Sequence, residues 1–77
     1  MSRHTYRKQG NDKEYIVAFG SDHAVGFFMQ VFEPGNEEPL YDKDRMFDRL
    51  SAGQMISEVL NQFGIDIEFE VVMGYSR

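Results

Sequence analysis

Two apolar, β-rich runs separated by a short polar break constrain this chain most. The first reads Tyr15-Ile16-Val17-Ala18-Phe19-Gly20 and the second Val25-Gly26-Phe27-Phe28-Met29-Gln30-Val31-Phe32. Gly20-Ser21-Asp22-His23 lies between them, and Gly and Asp accept the backbone shapes of a tight turn. Two such runs around a turn read as an antiparallel hairpin, with strands from about Glu14 to Phe19 and from about Ala24 to Phe32. Side chains alternate across a strand. Val25, Phe27, Met29 and Val31 therefore share one face, and Gly26, Phe28, Gln30 and Phe32 the other. The first set is wholly apolar and should face the core. The second is half apolar where a solvated face should be polar, and Phe28 and Phe32 stand on it at a spacing of four.

The best-supported element is a helix from about Ala52 to Phe63. Ser51 can cap it, and Gln54 completes a capping box three residues later. Leu50 and Met55 occupy the positions of a hydrophobic staple. Met55, Ile56, Val59, Leu60 and Phe63 form one stripe. Gly64 suits the left-handed position that stops a helix, with Ile65 packing back. A last strand is expected from Ile65 to Met73, because Ile65, Ile67, Phe69, Val71 and Met73 alternate with Asp66, Glu68 and Glu70.

Between hairpin and helix, Pro34-Gly35 marks a second turn. Leu40-Tyr41 reads as a brief edge strand beside the second one, with Pro39 flanking it. Residues 42–49 fit a short helical turn or an ordered loop, since Met46, Phe47 and Leu50 fall one helical turn apart or less. The expected fold is α+β: a two-layer sandwich in the order β-β-(β)-α-β. Its mostly antiparallel sheet of three or four strands is covered by one helix.

Charge divides the chain. Residues 1–13 hold Arg3, Arg7, Lys8 and Lys13 against Asp12 alone. Residues 14–77 hold twelve acids against Lys43, Arg45, Arg49 and Arg77, a net of −8. Residues 1–12 lack apolar periodicity and read as a flexible basic arm ending at Gly10-Asn11-Asp12, before a single α+β domain over 13–77. An acidic body repels nucleic-acid phosphate, so direct nucleic-acid binding through it is not expected. The chain has 77 residues and no cysteine, so neither disulfides nor thiolate metal sites can reinforce it. Its apolar runs are too short for a membrane span, and no apolar leader follows the basic start. A cytoplasmic protein without membrane contact is expected.

Chemistry-bearing patterns are sparse. Ser21, Asp22 and His23 are adjacent on a turn, and neighbours cannot readily supply the separate directions a triad needs. An acid–base site would have to gather His23, Tyr15 or Tyr41 and a distant carboxylate. Asp42, Asp44 and Asp48 suggest a cation loop, but Phe47 and Gly53 occupy the positions where a calcium loop needs glycine and glutamate. Asp66, Glu68 and Glu70 line one strand face rather than two sides of a cleft. The expectation is a non-enzymatic protein with no cofactor and no metal. It reads as a small acidic protein-interaction module that self-associates, most simply as a homodimer. Phe28, Phe32, Gln30, Glu68 and Glu70 are its expected interface. The alternative is an inhibitor of nucleic-acid-mimic or mobile-element accessory type. It would block a basic nucleic-acid-binding protein through Asp66, Glu68, Glu70, Glu37 and Glu38.

Overall fold

The computed structural model describes residues 2–68. Four strands form one antiparallel sheet in the order β1-β2-β3-β4, with β1 Ser2–Gln9, β2 Glu14–Asp22, β3 Gly26–Phe32 and β4 Tyr41–Asp44. One helix, α1 Ala52–Phe63, lies over β3 and completes a two-layer α+β fold. Among the described residues the element order is β-β-β-β-α.

The largest departure from expectation is β1. Residues 2–9 are not a free arm but an edge strand paired along its whole length with β2, from Ser2 opposite Ser21 to Gln9 opposite Glu14. Gly10-Asn11-Asp12 is the turn of that hairpin, and the Gly10 amide donates to the Lys13 carbonyl across 2.8 Å. Burial alternates along the strand: Ser2, His4 and Tyr6 are half-buried while Arg3, Thr5 and Arg7 are exposed. The period of two is present, but its inward positions hold polar or amphipathic side chains instead of aliphatic ones.

The next hairpin keeps its expected partners with shifted bounds. Gly20 and Ser21 belong to β2, and the turn falls at residues 23–25. Gly20 is required there, because a Cβ would run into the Ser2 carbonyl oxygen of β1. The brief third strand expected at Leu40-Tyr41 is β4, whose Tyr41 pairs with Val31 and Asp44 with Phe28. Residues 45–50 form an ordered loop with a turn at 45–47.

The helix forms where its signals place it. Ser51 Oγ accepts from the Gln54 amide, and the Gln54 side chain accepts from the Ser51 amide. Gly64 takes the left-handed conformation at φ 72° and donates its amide to the Leu60 carbonyl. The carbonyl of Phe63, the last helical residue, accepts from the Asn11 amide at 2.9 Å. The β1–β2 turn thereby contacts the helix C-terminus and supplies a donor to one of the carbonyls that lack partners within the helix.

Opposed residues on paired strands share a face. The helix side carries Tyr15, Val17 and Phe19 of β2, Met29 and Val31 of β3, and Tyr41 of β4. All are buried with Met55, Val59, Ile65 and Ile67. Each large apolar side chain removed from water there contributes about 1.5–3 kcal/mol. His4 and Tyr6 of β1 extend this layer, with Tyr6 stacked on Phe19 at 5.7 Å. Ile65 and Ile67 are buried and Asp66 and Glu68 exposed, the alternation expected of the last strand. Residues 65–68 are nonetheless irregular in conformation, and the rest of that expected strand, with Glu70, lies outside the described residues.

Candidate interaction surface

The face of the sheet turned away from the helix gathers side chains from all four strands. Three rows cross it, set by the strand registers. Arg3, Gly20, Phe28 and Asp44 form the first, and Thr5, Ala18, Gln30 and Asp42 the second. Arg7, Ile16 and Phe32 form the third. Leu40 extends that row, since its amide donates to the Val31 carbonyl one step before Tyr41 pairs. Ile16, Phe28, Gln30 and Phe32 are half-buried, and Leu40 is 46% exposed.

A polar belt runs over this face. Arg3 Nη1 donates to Gln30 Oε1 at 2.7 Å, and Gln30 Nε2 donates to Asp42 Oδ1 at 3.3 Å. The Arg3 guanidinium also stands 5.8 Å from the Phe28 ring centre, within cation–π range. Arg3 can cross β2 because Gly20 and Ala18 offer so little bulk there. Ala18 is fully buried as a result. Ion pairs of Arg7 with Glu14 at 2.7 Å and Lys13 with Glu33 at 2.9 Å flank the face. Both pairs are exposed, and such pairs contribute about 0–1 kcal/mol.

The structure brings Phe28, Gln30 and Phe32 together, as their alternation indicates. Glu68 stands apart, because Ile65 and Ile67 before it pack into the core on the helix side. The face also includes residues that sequence reasoning assigned elsewhere. Arg3 and Arg7 were expected in a free arm, and Asp42 and Asp44 were weighed only as cation ligands. A legible signal was available: Arg3-Thr5-Arg7 and Asp42-Asp44 each repeat at a period of two.

A second exposed feature is the loop after β4. Met46 is 61% and Phe47 77% exposed. The loop is nevertheless well tied. Asp44 Oδ1 accepts from the Phe47 amide at 2.7 Å, Asp48 Oδ2 accepts from the Asp44 amide at 2.9 Å, and Lys43 Nζ approaches Asp48 at 3.7 Å. Asp44 and Asp48 thus use carboxylate oxygens to shape the chain. Arg49 completes the loop with a left-handed φ of 57°.

The residues weighed for acid–base chemistry are dispersed. Asp22 Oδ1 accepts from the Ala24 amide at 2.7 Å and closes the β2–β3 turn. His23 is exposed on that turn. Tyr15 lies at the other end of β2, where its hydroxyl donates to Asp12 Oδ1 at 3.0 Å. Tyr41 shares that end, since both rings meet Phe63 edge-on. Its hydroxyl donates to Glu58 Oε1 at 2.6 Å. Burial, reinforced by Glu58, raises the Tyr41 pKa, and burial with Asp12 raises that of Tyr15. Both phenols are held as hydrogen-bond donors. Among the described residues, no helix is long and apolar enough to cross a membrane. No protein-family model, curated protein or solved structure matches this chain.

Proposed function

We propose that this protein is a small non-enzymatic interaction module whose docking face is the outer face of its sheet. One observation carries the reading. Ile16, Phe28, Phe32 and Leu40 lie together on a face that no helix covers among the described residues. An antiparallel sheet with one solvated face ordinarily turns polar residues to water. Aromatic side chains ringed by polar groups are instead typical of protein interfaces, where a few anchors carry most of the binding energy. The alternative, an acidic inhibitor of a basic protein, draws on exposed Glu37, Glu38, Asp66 and Glu68.

Affinity capture from the encoding organism tests both readings. Wild type and Phe28→Asp are compared at low and high salt, because contacts between exposed charges are screened. Partners retained at high salt by wild type and lost with Phe28→Asp are the expected result. Equal capture by both proteins would overturn the outer-face reading. Capture abolished by salt, with a basic nucleic-acid-binding protein recovered, would favour the inhibitor.

A further inference from the structure

We infer that the occupant of the outer sheet face is a second copy of this chain, related by a two-fold axis parallel to the strands. This rests on the docking-face reading above and names its partner. Charge is graded across the face. One margin, β1, carries Arg3 and Arg7; the other, β4, carries Asp42 and Asp44. A closed dimer places the same patch on both copies. Two copies can meet face to face about an axis along the strands or about one across them. The axis across the strands sets β1 on β1, arginine on arginine. The axis along the strands sets β1 of each copy on β4 of the other. Arg3 then meets the other copy's Asp44, and Thr5 its Asp42, each contact occurring twice. A hetero-partner would need the inverse gradient, and this chain already carries it.

Side-chain size follows the same symmetry. Along β2 the outer positions read Ile16, Ala18, Gly20; along β3 they read Phe32, Gln30, Phe28. The axis that matches charge also lays β2 on β3 of the other copy. Gln30 falls over Ala18 and Phe32 against Ile16, while Phe28 meets the Ser2–Arg3 backbone that covers Gly20. Face-packed sheets stay within about 30° of alignment, so these pairings hold best near the axis. Over Gly20 the backbone of Ser2 and Arg3 already stands where a Cβ would lie, so the room for exchange is over Ala18, which the Arg3 side chain crosses to reach Gln30 in the single chain. Dimerisation turns Arg3 to the other copy's Asp44 and opens Ala18 to the other copy's Gln30. Asp44 uses Oδ1 to accept the Phe47 amide, and among the described residues its Oδ2 accepts no hydrogen bond.

Sedimentation equilibrium of the full chain tests the pairing. Wild type should be dimeric at high micromolar concentration. Arg3→Glu/Arg7→Glu and Asp42→Lys/Asp44→Lys should each weaken the dimer by about tenfold or more, since like charges then oppose each other. An equimolar mixture of the two variants should recover the dimer, because each supplies the sign the other lost. Thermal unfolding by circular dichroism checks that both variants fold. If either does not, Thr5→Cys/Asp42→Cys decides. Facing sheets stand about 10 Å apart, while three strand spacings separate these residues within one chain by about 14 Å, so neither pair closes a disulfide directly. With no native cysteine, a short bismaleimide that spans the gap between the sheets but not the width of one sheet should give a covalent dimer through this pair. A wild type monomeric at high micromolar concentration, charge-reversed variants that stay dimeric, a mixture that stays monomeric, or no covalent dimer would each overturn the inference. A monomeric wild type that still loses captured partners on Phe28→Asp would refute the second copy alone and leave the docking face standing.

Discussion

Gly10→Ala tests whether the N-terminal hairpin is docked on the helix. A Cβ at Gly10 would stand 2.5 Å from the Phe63 carbonyl oxygen and 2.6 Å from Tyr15 Cε2. Neither neighbour yields easily. The carbonyl belongs to the last turn of α1, and the Tyr15 ring is buried and tied through its hydroxyl to Asp12. The turn must therefore lift, which loosens the 2.9 Å bond from the Asn11 amide to Phe63. Overpacking of this kind costs about 1–3 kcal/mol. The opposite sign is the default: in an open, compatible turn, Gly→Ala stabilises by about 0.4–1 kcal/mol through the unfolded chain. In an unstructured tail it would do nothing. A small domain loses about 4–8 °C of Tm per kcal/mol, so a fall of roughly 5–20 °C is expected. Urea and thermal unfolding followed by circular dichroism measure it. An unchanged or raised Tm would refute the docked hairpin.

Other expectations follow from the core and the caps. Tyr41→Phe removes the hydroxyl that Glu58 accepts and should cost about 1.5 kcal/mol in urea unfolding at neutral pH. The same phenol sets an alkaline limit. Its unfolded form ionises near 10.0 while the folded form keeps its proton, so stability present below that pH is lost as pH rises above it. Unfolding measured from pH 9 to 11 should show this loss, shallower in Tyr41→Phe, and equal slopes would contradict it. Phe19→Ala should cost about 3–5 kcal/mol and leave the protein unfolded or nearly so, because its ring is buried among Tyr6, Phe27 and His4. Ser51→Ala should cost about 1 kcal/mol through the lost cap. Met46→Ser with Phe47→Ser should change stability by less than about 0.5 kcal/mol, since both side chains are exposed; a larger loss would show that the loop packs more closely than described.

The helix was legible because its determinants are local. Ser51, Gln54, the stripe through Met55 and Val59, and Gly64 lie within fourteen residues and all specify the same element. β1 was not legible, because its inward positions are His4, Tyr6 and Lys8. Those side chains reveal no apolar face until Phe19 is set opposite them. The Gly10-Asn11-Asp12 signal was read correctly as a turn, but its meaning depended on whether a strand preceded it. That in turn depended on the free edge of β2, which is a tertiary fact. The outer face was half legible for the same reason. Phe28, Gln30 and Phe32 follow from alternation within one strand. Their joining with Arg3, Arg7, Asp42 and Asp44 follows only from register across four strands.

Every strand of the sheet pairs with its neighbour in sequence, and the helix that covers them follows all four. On a ribosome, the four strands are made before their cover exists. From Asp44 to the end of the helix at Phe63 the chain must lengthen by nineteen residues. At synthesis rates of about 5–20 residues per second this takes on the order of 1–4 s, far longer than a hairpin needs to close. During that interval Phe19, Met29 and Val31 have no Met55 or Val59 to shield them, so a nascent sheet of this design passes through a stage with one greasy side facing water. A cell making it quickly and in quantity would meet that stage as a demand on its holding chaperones.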